Sequence, residues 1–414
     1  MFMPLKKQRI VRKLLCFIPC CVFSVFWNIN GFAQPVSVET ARMAAVNWIK
    51  QHGGVESTSV AQMLPVADKA LRNSNPAYYT FTMDKGGWVI VAGDDVAYPV
   101  IGYALQGSVS EADMPVAFRA WMEEVEKEIR AAIRKNQSSF IVDRVAATNS
   151  SAWDMLTRSI DRDRPVKTMS ISPLLRTTWS QGRYYNTQCP YDATSDFDNH
   201  ALVGCVATAM GQVMKYHNWP VTGVGSQSYY HPTYGTLSAD FGTTHYDWDS
   251  MPSGSVTAYN PAVSTLLYHA GVSVEMDYGP DGSGAYTGAV AIALKTNFRY
   301  KNSATYEHRS SYTTSSWEEK IRNELNARRP LVYRGSGTGG HAFVCDGYNG
   351  TDYFHFNWGW NGWYDGYFYL SSLTPDGYNF SNYQGAIFGI EPDGKPEPVQ
   401  QKNMNSVYHL LLGK

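Results

Sequence analysis

At 414 residues the chain has room for two or three domains of about 150 residues each. With 44% hydrophobic and only 17% charged residues, it can bury a large core, which excludes disorder as its main state. The formal net charge is −1 and no block of Lys and Arg follows Lys13, which excludes the clustered cations that a nucleic-acid partner requires.

The N-terminus reads as an export signal. Lys6, Lys7, Arg9, Arg12 and Lys13 precede an apolar run from Leu14 to Trp27, broken at Pro19. A membrane-spanning helix needs about 20 apolar residues, so the run is too short for a stable anchor. Gly31-Phe32-Ala33 places small residues where a signal is cut, ahead of Gln34. Residues 1–33 are therefore expected to leave, with the product secreted or held in the cell envelope or periplasm. Cys20 and Cys21 follow no small-residue lipobox, which argues against lipidation. Removal of the signal takes Cys16, Cys20 and Cys21 and leaves Cys189, Cys205 and Cys345. Three is odd, and a leftover thiol in an exported protein marks a candidate reactive group.

Residues 34–165 read as a small α/β unit and its linker. Helical spacing of Ala41, Ala45, Trp48 and Ile49 predicts a helix over 38–51, stopped by Gly53-Gly54. Strands are expected at 77–83 and 87–92, followed by a turn at Gly93-Asp94-Asp95. Val116, Ala120, Val125 and Ile129 predict a second helix over 115–135. Residues 136–172 mix small, polar and charged groups and read as a protease-accessible junction. The larger unit, 166–392, opens with helical patterns at 205–217, 261–270 and 317–327. From Pro330 short aromatic strands take over (PLVYRG, HAFVCDGY, YFHFNWGW, GYFYL and GAIFGIEP), punctuated by Gly, Asn and Asp. The expected fold class is α+β, a helical half against an antiparallel β half, with a polar tail at 393–414.

Cys205 follows Gly204 and opens the first of these helices. A thiol at a helix N-terminus meets the positive end of the macrodipole, which favours the thiolate. The competing reading is a core cysteine in an apolar helix. A nucleophilic cysteine needs a base, and His341 stands out: it follows Gly339-Gly340 at the start of an apolar strand. His355, between Phe354 and Phe356, is the runner-up and reads better as a packed strand residue. Asn357, 16 residues beyond His341, can accept the imidazole N–H and fix its tautomer, with Trp358 covering that bond. Gln181, 24 residues before Cys205, offers a side-chain N–H for an oxyanion. A zinc site built from Cys189, His200, Cys205 and His217 lacks the usual paired ligand spacing. No metal or cofactor is expected.

Cys205 lies 136 residues before His341 and 152 before Asn357, close to the spacing of about 130–150 residues found in papain-like proteases. At these residues the sequence resembles the streptopain family of papain-like cysteine proteases. Gly204-Cys205-Val206-Ala207-Thr208-Ala209, running to Trp219-Pro220, resembles its nucleophile helix. Gly339-Gly340-His341-Ala342-Phe343-Val344 resembles its histidine strand, and Asn357-Trp358-Gly359-Trp360 its asparagine–tryptophan segment. Met276-Asp277-Tyr278-Gly279-Pro280 with Gly282, Ser283 and Gly284 resembles its substrate loop. The similarity spans roughly 165–392.

The resemblance implies a papain-like two-subdomain catalytic domain over 166–392 behind an inhibitory propeptide over 34–165. It implies Cys205 as nucleophile, His341 as base and acid, Asn357 as orienting residue, Gln181 as oxyanion donor and Trp358 as shield. It also implies that Ser283, Gly284 and Gly340 line the substrate cleft and that Trp248 walls an apolar subsite. Cys345 stands where an apolar residue is expected and reads as a buried core thiol. The junction is placed at Arg164–Lys167, and the turn Gly93-Asp94-Asp95 is the candidate blocking element. Protein or peptide substrates and the chain's own propeptide are the expected partners. Two other readings stay open: a non-catalytic binding module on the same fold, and a Cys–His acyltransferase that shares the first half-reaction.

Overall fold

The structure, a computed structural model, describes residues 34–52, 64–65, 75–84, 86–107, 116–138, 144–157, 169–336, 340–370 and 384–395. The export signal, the Gly53-Gly54 stop, the junction at 164–167 and the tail beyond 395 lie outside the described residues.

In the N-terminal unit, α1 (Val38–His52) packs on an antiparallel ladder of β1 (Leu64–Pro65), β2 (Tyr78–Thr82), β3 (Trp88–Ala92) and β4 (Val100–Ala104). Ser37 starts the helix by accepting the Thr40 N–H at 3.1 Å. Ala41, Ala44, Ala45, Trp48 and Ile49 form its buried stripe. Every residue of β3 and β4 is buried, so these strands read as apolar runs without alternation. The run of β3 is unbroken, whereas Gly102 interrupts that of β4, which was not anticipated. Two helices follow, α2 (Val116–Ser138) and α3 (Arg144–Thr157).

Helix α3 corrects the expectation of an irregular linker over 136–172. Asn149, Ala152, Trp153 and Leu156 are buried at helical spacing. The Asn47 amide donates to the Leu156 carbonyl at 2.6 Å, and Trp153 Nε1 donates to the Ala97 carbonyl at 2.9 Å. Ser, Thr and Asn of modest helix propensity diluted a real amphipathic pattern, and tertiary packing stabilises it.

The C-terminal unit starts with β5 (Ser170–Ile171). Its helical half contains α4 (Cys205–His217), the hairpin β6 (Ser226–His231) and β7 (Gly235–Asp240), α5 (Pro261–Ser273) and α6 (Ala289–Asn297). The β half contains β8 (Thr305–His308), α7 (Thr314–Asn326), β9 (Leu331–Ser336), β10 (Gly340–Asn349), β11 (Tyr353–Asn357), β12 (Gly366–Tyr369) and β13 (Gly385–Phe388). The helices over 205–217, 261–270 and 317–327 and all five late strands form where the sequence places them. The β6–β7 hairpin and α6 were not anticipated.

One antiparallel sheet runs through both units in the order β1-β2-β3-β4-β12-β11-β10-β9-β13-β8, with β5 on β10. The join is β4 on β12, with Tyr103 opposite Tyr367 and Gly102 opposite Phe368. Ala342 and Val344 face the core of the helical half, together with α4, α5 and α6. Phe343, Cys345, Phe354 and Phe356 face the opposite core, shared with α7 and the N-terminal unit. Cys345 is a fully buried thiol, as its strand position suggested. Among the described residues, no helix is long and apolar enough to cross a membrane.

At the join a Cβ on Gly102 would lie 2.5 Å from Phe368 Cδ1 and 3.1 Å from the Tyr367 carbonyl oxygen. Gly102→Val in a Cys205→Ala background is expected to destabilise the full chain by about 1–3 kcal/mol through overpacking, read by denaturant unfolding. Unchanged stability would show that the two strands are not in close register.

Candidate active site

Cys205 sits at the first position of α4, and Gly204 before it has φ +87°. A Cβ at Gly204 would lie 2.7 Å from Met276 Sδ and 3.1 Å from the Ser283 carbonyl oxygen. Glycine is thus required twice, for the left-handed backbone and for the close approach of the 276–284 loop. No side chain caps the helix, which leaves its first N–H groups facing the thiol. The backbone N–H of Ala342 donates to Cys205 Sγ at 3.3 Å, so α4 and β10 meet at the sulfur.

The thiol is part-buried, and burial pushes its pKa above the ordinary value. The N–H groups of Ala342, Val206 and Cys205 and the charge of Arg334 oppose that shift without reversing it. In this form desolvation therefore outweighs the helix terminus, contrary to the expected thiolate.

His341 precedes Ala342 on β10. Strand alternation places it on the Phe343 side, while Ala342 faces Cys205. Its Nε2 is buried with no hydrogen-bond partner, and burial lowers its pKa. Burial thus disfavours the charged form of each group, the thiolate and the imidazolium alike.

Asn357 ends β11, opposite Val344 of β10. Its Oδ1 accepts from Gln212 Nε2 at 2.9 Å and from the Gly359 N–H at 3.1 Å, and its Nδ2 donates to the Thr177 carbonyl at 2.7 Å. Both acceptor positions of the amide oxygen are taken, so in this form Asn357 does not orient His341 as the spacing suggested. Trp358 is buried against Phe343, with ring centroids 4.5 Å apart. Its N–H donates to Asp365 Oδ1 at 2.9 Å and its Nε1 to the Tyr364 carbonyl at 3.0 Å. It thus lies on the sheet face to which alternation assigns His341.

Gln181 is buried, and its carbonyl accepts the Val203 N–H at 2.9 Å. That bond brings it to the segment entering Cys205 despite the sequence gap. Ser283 Oγ donates to the Leu202 carbonyl at 2.6 Å and accepts the Gly279 N–H at 3.0 Å. The N–H and C=O of Gly284 are both paired with Asp277, at 3.0 and 2.8 Å. Gly284 therefore shapes the loop, while Ser283 touches the nucleophile segment. Gly340 opens β10 opposite Ser336.

Trp248 does not join this group. It is buried in the core of the helical half, with Nε1 donating to the Pro220 carbonyl at 2.8 Å. Its own carbonyl accepts Lys215 Nζ at 2.6 Å. Lys215 is ten residues along α4 from Cys205, a rise of about 15 Å. The family resemblance implied a subsite wall at Trp248, but its indole N–H bond and burial assign it to the core.

The turn Gly93-Asp94-Asp95 is also elsewhere. Asp94 accepts the Val96 N–H, Asp95 accepts the Gln34 N–H, and α3 bonds the next two carbonyls. The turn organises the N-terminal unit, whereas α2 is the helix of that unit lying against β9 and β10. Sequence reasoning also missed Gln212 and Thr177. Gln212 was findable: it lies seven residues after Cys205, on the same face of a helix that otherwise buries apolar side chains.

A model of the Peptidase C10 family matches residues 179–368, and a model of the Spi protease inhibitor matches 33–129. Streptopain of Streptococcus pyogenes is 33% identical over 341 residues, covering 76% of this chain and 80% of streptopain. The chain belongs to the Peptidase C10 family. Another C10-like relative, the thiol protease/hemagglutinin PrtT of Porphyromonas gingivalis, is 35% identical over 88% of this chain. The chain spans only 43% of PrtT's length. Among solved structures, a mutant fragment of prointerpain A from Prevotella intermedia superposes with a TM-score of 0.64 at 31% identity. It covers 81% of this chain and 99% of that fragment. The fold is thus the C10 peptidase fold preceded by an inhibitor-type propeptide domain.

The two partners of the expected His–Asn pair differ in how the untrimmed chain holds them. Asn357→Ala is expected to cost about 1–3 kcal/mol, because it strands Gln212 and Thr177 in the interior. His341→Ala is expected to leave stability unchanged or raised, since the imidazole's buried Nε2 has no bond to lose. Denaturant unfolding of both variants checks this. A large loss for His341→Ala with none for Asn357→Ala would contradict the geometry.

Proposed function

We propose that the chain is a cysteine endopeptidase made as a self-inhibited zymogen, exported by its first 33 residues and acting on proteins or peptides. The observation that carries this reading is the meeting of α4 and β10 at one sulfur. Cys205 opens the helix, the residue after His341 donates its N–H to that sulfur, and Gln181 is bonded to the segment entering it. A binding module has no need for this convergence.

In the working enzyme, His341 turns to the Cys205 side and takes the thiol proton. The thiolate attacks the scissile carbonyl carbon, and the carbonyl electron pair moves onto oxygen. The side-chain N–H of Gln181 and the backbone N–H of Cys205 hold that oxyanion. Collapse of the intermediate breaks the C–N bond, and His341 delivers its proton to the leaving amine. Water, deprotonated by His341, then attacks the thioester, releasing the acid and returning the proton to sulfur. Ser283 and Gly340 offer main-chain groups to an extended substrate. Asn357 orients His341 after one of its present donors is displaced. The propeptide, over about 34–165, holds the enzyme silent until cleavage at the junction near 164–167.

Purified 34–414 should trim itself under reducing conditions to a product beginning near residue 165 and then degrade casein, as read by intact mass and fluorescence. Cys205→Ala and His341→Ala should do neither. Gln181→Ala should lower kcat by about 10²–10³-fold. A wild-type chain that remains inert and unlabelled by a thiol-directed peptidyl inhibitor after light tryptic trimming would refute the peptidase reading.

A further inference from the structure

Gln212 is fully buried and is bonded at both ends of its amide. Oε1 accepts the Trp179 N–H at 3.2 Å, and Nε2 donates to Asn357 Oδ1 at 2.9 Å. The direction of each bond is fixed by main-chain groups. Trp179 can only donate at its N–H, the Thr177 carbonyl can only accept from Asn357 Nδ2, and the Gly359 N–H can only donate to Asn357 Oδ1. The amide cannot be reversed without losing two bonds.

This amide sits on the nucleophile helix, seven residues after Cys205, and reaches two separate segments of the site. Trp179 is two residues before Gln181, and its peptide is held on both sides: Gln212 binds the N–H, and Asn361 N–H binds the carbonyl at 3.3 Å. The Trp179 ring is fully buried, and its Nε1 donates to the Pro252 carbonyl at 3.1 Å. On the far side of Gln181, its carbonyl holds Val203 at 2.9 Å. Gln181 is thus strung between an anchor set by Gln212 and an anchor two residues ahead of Cys205. Thr208, on the same face of α4, lies where a Cβ on Gly359 would stand 3.2 Å from its Cγ2, so the Asn357–Gly359 turn has no room to drift.

We propose that Gln212 is a positioning residue for the peptidase reaction. Its amide, tethered to Asn357 at one end and to the Trp179 N–H at the other, fixes the distance between the Cys205 sulfur and the Gln181 oxyanion donor. The inference rests on the reading of Gln181 as an oxyanion donor. Gln212 touches no substrate, and its effect passes through Gln181.

The test uses the enzyme trimmed from the full chain. Gln212→Met keeps the volume and removes both bonds. It should lower kcat roughly 10- to 100-fold, as a small misplacement of a catalytic group does, with KM within about twofold. Affinity for a peptide aldehyde, whose hemithioacetal carries the oxyanion, should fall in parallel with kcat, while the iodoacetamide alkylation rate of Cys205 stays at the wild-type value. In the Gln181→Ala background, Gln212→Met should add nothing further.

Gln212→Glu is the conservative variant, available should Gln212→Met not fold. A neutral carboxyl reproduces both bonds, whereas a carboxylate cannot donate to Asn357. Its kcat relative to wild type should therefore fall as pH rises through the titration of that buried carboxyl. Additive losses in the double variant, or a parallel loss of alkylation rate and kcat, would assign Gln212 a merely structural role and overturn the proposal. If Gln181→Ala loses aldehyde affinity and neither Gln212 variant does, the positioning role alone falls. If Gln181→Ala itself keeps that affinity, the oxyanion reading fails and the proposal fails with it.

Discussion

The pairing of β4 with β12 makes the N-terminal unit and the peptidase one continuous sheet, and the strand that carries His341 belongs to it. An exposed edge strand is a template for another strand, and here the propeptide supplies that strand. Side chains tighten the seam. Tyr353 OH donates to the Val100 carbonyl at 2.5 Å, and Asn349 Nδ2 donates to Tyr103 OH at 2.6 Å. The Tyr98–Tyr369 and Tyr103–Tyr367 rings stack at 4.5 and 5.4 Å. Each cross-strand aromatic pair contributes about 0.2–1 kcal/mol, so the latch is built from many modest terms. It can be strong while the chain is intact and can lapse once the two units become separate molecules.

The second consequence is electrostatic. Cysteine and histidine activate each other only when the thiolate and imidazolium form together. In the untrimmed chain, burial raises the thiol and lowers the imidazole, which favours two neutral side chains. Strand β10 links the core shared with the propeptide to the site. Its Phe343 and Cys345 side faces the core shared with the propeptide, and its Ala342 and Val344 side faces α4. A shift of β10 against either neighbour is therefore felt at His341. The same sheet can silence the enzyme and, once released, support it.

Much of this was legible in the residues. The α4 boundaries, the five aromatic strands and the meeting of Cys205 with the His341 strand follow from hydrophobic period, glycine placement and spacing. Strand β4 was not legible because Gly102 interrupts its apolar run, whereas the equally buried β3 is unbroken. Helix α3 was hidden by Ser, Thr and Asn whose cost is offset by packing on α1. The role that the resemblance implied for Trp248 was not checkable from its own residues, because an aromatic side chain in a loop gives no sign of which cavity it fills. Spacing pairs Asn357 with His341 but gives no sign of the bonds that it makes here to Gln212, Thr177 and Gly359. A polar side chain in a core takes the partners that folding brings, and sequence distance says little about which those are.

On this reading the intact chain keeps Cys205 and His341 uncharged, and trimming lets them ionise as a pair. The direct measurement is the alkylation rate of Cys205 by iodoacetamide as a function of pH, before and after trimming, with the modified peptide identified by mass. The intact chain should react only as pH rises above the ordinary thiol range. The trimmed enzyme should already react on the acid side of neutrality. An acid-side reaction of the same size in the intact chain would contradict the account.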